Sequence, residues 1–173
     1  RYCSSGLQTI ATAANAIRCG EEDVVIAGGV ESMSLVPMLV GAEDADPWLA
    51  EHRPEVYTTM GITAENVARQ WGISRADMDA MAVESHRRAA QAQAGGCFDG
   101  QIIPITVPGP DGGEVVVCRD EGIRPGTTAE TLAGLKPCFL ENGSVTAATS
   151  SQMTDGAGFV VLMSEEKAAE LGV

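Results

Sequence analysis

DVVIAGG, Asp23 to Gly29, is a short run of β-branched and small apolar residues closed by two glycines. No polar residue alternates within it, so the strand it predicts is covered on both faces, as in the interior of a parallel sheet. Directly before it, Ser4 to Arg18 predicts a helix: Leu7, Ile10, Ala14 and Ile17 share one face, and Gly20 supplies a stop. The opposite positions, Thr9, Ala11, Thr12 and Ala13, are small. Neighbours can therefore approach this helix on several sides, which favours its burial. A helix followed at short spacing by such a strand gives an α/β class. The same texture returns at the far end, where SVTAATSSQMTDGAGFVVLMSEEKAAELG joins Gly/Ala/Ser-rich turns to the apolar strand GFVVLM and a helix from about Glu165.

The stretch between reads differently. Residues 35–60 are expected to be irregular, with Pro37, Pro47, Pro54 and the acidic run GAEDAD. A helix is predicted over about Thr63 to Gln70. A second opens at Ser74, with Asp77 at capping-box spacing, and runs to about Ala94 before Gly95-Gly96. Ile102–Val107 and Glu114–Cys118 flank PGPDGG and predict a β-hairpin with a six-residue loop. TTAETLAGL predicts a short helix, with Thr127 and Glu130 at capping-box spacing. The expected organisation is an α/β core at both ends, interrupted by an insertion of roughly 115 residues, the size of a small subdomain.

Composition narrows the partners. The 173 residues are 45% apolar, enough for one ordinary core, and the formal charge is −13. Nucleic acid and anionic membrane surfaces require clustered Lys and Arg and are excluded as expectations. Nine of the eleven basic residues are Arg, so contact with a small polyanion falls to Arg, whose planar fork suits phosphate. Cys3, Cys19, Cys97, Cys118 and Cys138 are widely spaced, and neither His52 nor His86 adjoins one. That pattern suits neither a zinc site nor a disulfide scaffold, and predicts reduced thiols in a cytoplasmic compartment with no metal. No apolar run reaches the ~20 residues that cross a bilayer.

Cys3 stands at the junction RYCSSGLQTI, where the first helix begins. A thiol at a helix N-terminus faces unpaired backbone N–H groups and the positive end of the dipole, and both favour thiolate. Ser4, Ser5 and Gly6 keep the turn small enough for a carbonyl to reach the sulfur, and the Cys3 N–H is oriented to help hold an oxyanion. A small buried residue is the competing reading of the same cysteine.

Five blocks in order, RYCSSGLQTIATAANAI, DVVIAGGVESMSLVPM, MGITAENVARQWGISRADMD, RDEGIRPGTTAETLAGLKP and SVTAATSSQMTDGAGFVVLMSEE, resemble the thiolase family over essentially the whole chain. The resemblance implies a thiolase-like α/β fold: residues 1–33 as N-terminal core, 34–149 as the inserted loop domain that binds CoA, and 150–173 as the return to the core. The C-terminal domain is absent, so the chain is expected to be an internal or N-terminal-half fragment. It further implies thiolytic cleavage of 3-ketoacyl-CoA through an acyl thioester on Cys3. By position, Arg124 meets the adenine end of CoA, Thr131 lies near the nucleotide, Ser151 meets the pantetheine chain and Met60 lines the acyl pocket. CoA is a substrate here, and no cofactor is implied. The His-Pro-x-Gly, Asn-Glu-Ala-Phe and Cys-x-Gly blocks that complete the family's active site do not occur, so the segment alone is expected to be inactive. His52 and His86 are expected in surface or structural roles.

Departures point to type. Thr59 stands before Met60-Gly61, where short-chain biosynthetic members tend to carry His. Ala148 and Thr149 stand where those members tend to carry Gly-Asn, and PWLAEHRPEVY resembles degradative members. The expectation is a β-oxidation acetyl-CoA C-acyltransferase whose parent chain is a homodimer or homotetramer. The alternatives are an acetoacetyl-CoA thiolase and a non-catalytic CoA-binding module. A carrier-dependent ketosynthase and a cysteine hydrolase fit the blocks less well.

Overall fold

The computed structural model describes residues 1–36 and 42–173. Residues 37–41, with Pro37 of the expected irregular stretch, lie outside the described residues. The chain divides into two units, residues 1–45 with 153–173, and residues 46–152.

In the first unit a 3-10 turn, Tyr2–Ser4, leads into helix α1, Ser5–Arg18. Strand β1, Val24–Glu31, follows, and its partner β4, Gly156–Met163, comes from the end of the chain. The pairing is antiparallel, from Val24↔Met163 to Glu31↔Gly156, which corrects the parallel strand expected from DVVIAGG. An uninterrupted apolar run reports only what covers a strand; its direction is set by a partner 125 or more residues away. Just beyond the ladder, the Ser34 N–H and hydroxyl both donate to the Asp155 carboxylate, at 2.8 and 2.5 Å. These bonds hold that carboxyl below its ordinary value, the Ser34 hydroxyl contributing most.

Helix α1 lies against this sheet, and Ala13 and Ala27 are the buried residues of the unit's core. The face read as apolar is only half used, since Leu7 remains 72% exposed. Burial of α1 on several sides is therefore not observed in this chain. Across the ladder Ile26 pairs with Val161 and Gly28 with Phe159, which puts them on one face. On that face Ile26, Phe159 and Val161 are each more than half exposed. A Cβ at Gly28 would run into the Gly158 carbonyl and Phe159, so glycine is required there. Helix α6, Glu165–Leu171, is capped by Ser164 and closed by left-handed Gly172.

The second unit opens with α2, Pro47–His52, capped by the Asp46 carboxylate, and a 3-10 turn at Pro54–Tyr57. The stretch expected to be irregular is thus partly helical, Pro47 and Pro54 each opening a helix rather than breaking one. Helix α3 spans Met60–Trp71, three residues earlier than expected, and ends at left-handed Gly72. Helix α4, Arg75–Ala94, opens on the Ser74/Asp77 capping box. On its exposed face the Arg87 and Arg88 guanidinium groups hold the Glu84 carboxyl down to about 2. Strands β2, Ile105–Pro108, and β3, Glu114–Val117, form the expected hairpin with a loop one residue shorter. Helix α5, Ala129–Ala133, is capped by Thr128 with Thr131, not by Thr127 with Glu130. The core of this unit combines Ala68, Ala82, Leu132 and Val145 with the buried polar residues Glu65, Asp79 and Thr146.

Candidate functional site

Cys3 is the middle residue of the 3-10 turn at the head of α1 and is exposed, so the buried-residue reading does not hold in this chain. The turn is closed by the Ser4 and Ser5 N–H groups, which donate to the carbonyls of Arg1 and Tyr2. The residue before the thiol, Tyr2, has φ +52°, the single non-glycine with positive φ among the described residues. Such a conformation is costly for an aromatic residue and fixes the direction in which Cys3 departs. The Thr9 hydroxyl anchors the first helical turn, bridging the Gly6 carbonyl at 2.8 Å and the Gly28 carbonyl of β1 at 3.3 Å. Nothing lies within 4 Å of where a Gly6 side chain would be, so the space beside the turn is open.

The other sequence-named residues lie in the second unit, and each is exposed. Met60 is the first residue of α3. Its neighbour Gly61 sits beneath the Phe139 ring, with no room for a side chain. One turn on, the buried Glu65 carboxylate accepts from the Ser144 N–H and hydroxyl and from the Val145 N–H, at 2.8–3.0 Å. Burial alone would push this carboxyl up. The Val145 and Ser144 bonds and the Arg69 charge outweigh burial and leave it below the ordinary value.

Glu65 thereby fixes the strand of chain that leads to Ser151. Past Val145 the Thr146 N–H donates to the Thr149 hydroxyl at 2.9 Å, and the Ser150 hydroxyl donates back to the Thr146 carbonyl at 2.8 Å. Ser151 follows this locked turn. Its neighbour Gln152 lies against Gly122, where any side chain would collide with the Gln152 amide. That contact brings the chain before Arg124 beside the chain after Ser151.

Arg124 precedes a turn in which the Thr127 N–H and hydroxyl both donate to its carbonyl. Among the described residues no carboxylate pairs with its guanidinium. The Thr131 hydroxyl accepts from the Thr128 N–H at 3.0 Å and donates to the Thr128 carbonyl at 2.8 Å. With its proton engaged, it can offer a ligand only an acceptor. Arg124, Thr131 and Ser151 are thus carried on neighbouring stretches of one unit, and Met60 heads the helix that fixes one of them. Cys3 belongs to the other unit.

Sequence reasoning passed over Glu65 and Thr146 and gave His86 only a surface or structural role, with no partner; the His86 Nδ1 accepts the Arg124 N–H at 3.2 Å. One signal was present: Gly61, Glu65 and Ala68 mark a helical face, and a carboxylate on it needs donors. A groove of about 450 Å³ lined by Glu65, Arg69, Leu140 and Ser144 contains none of the sequence-named residues. Among the described residues no cluster of His, Cys, Asp and Glu could hold a metal ion, and no helix is long and apolar enough to cross a membrane.

A family model described as the thiolase N-terminal domain matches residues 1–166. The chain is 50% identical over 181 aligned residues to the 3-ketoacyl-CoA thiolase of Bacillus subtilis (strain 168), covering all of this chain and 46% of that protein. It is 41% identical over 185 aligned residues to a probable acetyl-CoA acyltransferase of Staphylococcus aureus, again in full and over 47% of the relative. The chain spans about half the length of the curated relatives it matches. Among solved structures, the dimeric peroxisomal thiolase of Saccharomyces cerevisiae superposes with a TM-score of 0.84 at 38% identity, over 98% of this chain and 44% of that one. The acetyl-CoA acetyltransferase of Bacillus anthracis superposes with a TM-score of 0.78 at 43% identity, over 99% and 46%. The ordered blocks, the α/β architecture and these matches agree: the chain belongs to the thiolase family and carries its N-terminal α/β part.

Proposed function

We propose that the full-length protein carrying this chain is an acetyl-CoA C-acyltransferase that cleaves 3-ketoacyl-CoA with CoA in fatty-acid β-oxidation. The observation that carries the reading is Cys3, exposed at the head of α1 within the residues matched to the family. The Cys3 sulfur attacks the 3-keto carbon and the Cys3 N–H faces the resulting oxyanion. The C2–C3 bond then breaks, its electron pair leaving as the enolate of acetyl-CoA, which takes up a proton. The acyl group remains on sulfur as a thioester until the thiol of a second CoA displaces it. One thioester replaces another, and no cofactor takes part.

In the second unit Arg124, Thr131 and Ser151 bind CoA, with Arg124 at its adenine end, Thr131 near the nucleotide and Ser151 on the pantetheine chain. Met60 lines the acyl pocket. That no carboxylate among the described residues pairs with the Arg124 guanidinium supports its part in this reading. The inserted domain of residues 34–149 carries most of the CoA contacts, with Ser151 just beyond it, and the chain alone does not turn over. The protein acts in the cytoplasm as a homodimer or homotetramer; the dimeric yeast relative supports the oligomer. The 43% identity to an acetyl-CoA acetyltransferase favours a second reading, an acetoacetyl-CoA thiolase working in the biosynthetic direction.

The test is to incubate the full-length protein with a 3-ketoacyl-CoA in the absence of free CoA, digest it, and weigh the peptides. An acyl mass on the peptide containing Cys3, released by adding CoA, is expected, and the acyl chains accepted separate the two readings. A folded protein that binds CoA yet acquires no adduct would instead be a non-catalytic CoA-binding module.

A further inference from the structure

Helix α4 turns few large apolar side chains inward, Met78 among them, beside the small Ala82 and Ala89. What it does have is a row of polar side chains, Arg75, Asp79, His86 and Gln93, interrupted by the buried Ala82. At 100° per residue these positions fall within a narrow sector of one helical face. Each polar member of the row is engaged. Arg75 forms an ion pair with Asp79 at 2.8 Å and donates to the carbonyls of Leu132 and Leu135 at 2.6 and 3.2 Å. The His86 Nδ1 accepts the Arg124 N–H at 3.2 Å. The Gln93 amide donates to the Asp120 carbonyl at 3.2 Å and accepts from the Arg119 guanidinium at 3.1 Å. Three points on one face therefore hold the segment 119–135 at its beginning, middle and end. The middle point is the backbone of Arg124 itself.

From this we infer that His86 is a positioning residue for CoA, holding the Arg124 backbone so that its guanidinium is presented at a fixed place; the inference rests on the reading of Arg124 given above. The role requires an acceptor at Nδ1, with the ring proton on Nε2. A protonated ring would set two donors against each other. Anchoring is useful because Arg124 is exposed in a loop, where an untethered side chain must be ordered at each binding event. Gln93, two turns along, supplies the second tether of the same loop.

The test uses thiolysis by the full-length protein with CoA as the varied substrate. His86→Leu removes the acceptor, and His86→Asn returns one at nearly the same reach from the backbone. His86→Leu is expected to raise the KM for CoA about fivefold, the worth of one ordinary hydrogen bond, while kcat stays within about twofold. His86→Asn is expected to restore most of the loss, which a merely structural ring would not allow. Arg124→Ala is run beside them. An elevated KM in Arg124→Ala with an unchanged one in His86→Leu overturns the positioning role and leaves the reading of Arg124 standing. An unchanged KM in Arg124→Ala removes that reading and this inference with it. Should His86→Leu fail to fold, His86→Ala takes its place with the same expectation, and an unchanged KM there overturns the role equally.

Discussion

Glu65 joins α3 to a strand of chain some eighty residues later through hydrogen bonds to Ser144 and Val145. Replacing it with Gln keeps its size but turns one accepting oxygen into a donor facing other donors. Glu65→Gln is expected to cost about 2 kcal/mol at pH 7, the range for hydrogen bonds to a charged group, read from the denaturant midpoint. The carboxyl lies below its ordinary value of 4.5 in the folded chain, so its contribution is complete above that pH and is lost as pH falls through the lowered value. The gap between wild type and Glu65→Gln should therefore narrow below pH 4.5, and a gap of constant size would contradict the assignment. Cys3 and Arg124 could be named as candidates from the sequence because each sits in a block with a recognisable order. Glu65, and the partner of His86, could not. A single Glu or His within a helix carries no local mark of what returns to meet it, and here the partners come from 38 and 79 residues away.

At the scale of elements, the caps show how far local chemistry can be read. The Ser74/Asp77 box at the head of α4 was read correctly because one pair alone satisfies the spacing. At the head of α5 two pairs do. Thr127 turns back onto the Arg124 carbonyl, whereas Thr128 takes the extended backbone, φ −131° and ψ 164°, that an N-cap requires. Thr128→Ala should then destabilise the second unit by about 1 kcal/mol and Thr127→Ala by less, measured as shifts in denaturant midpoint. Equal shifts would return the cap to the pair first read. The direction of β1 was beyond any local reading for a related reason: the pattern within a strand records burial, while pairing depends on a partner elsewhere.

For the whole molecule, the α/β class was legible because the same Gly/Ala-rich, strand-then-helix texture stands at both ends of the chain. What composition could not reveal is how little of the sheet's second face is covered. Ile26, Phe159 and Val161 leave a contiguous apolar surface open in this chain. Such surfaces bind hydrophobic dyes and promote association. The isolated chain is expected to show concentration-dependent association by light scattering and a broad melt; a sharp transition of a monomer at every concentration would refute this. The β1–β4 ladder also has a consequence for synthesis. Glu31 pairs with Gly156, so β1 emerges from the ribosome with its partner about 125 residues behind, a wait of roughly 6–25 s at ordinary translation rates. Throughout that interval β4 is not available to β1, while the second unit, with its own caps and hairpin, has time to fold. The later event in the folding of this chain is thus the return of residues 153–173, and a pause in translation ahead of β4 would lengthen the period in which β1 can pair with the wrong neighbour.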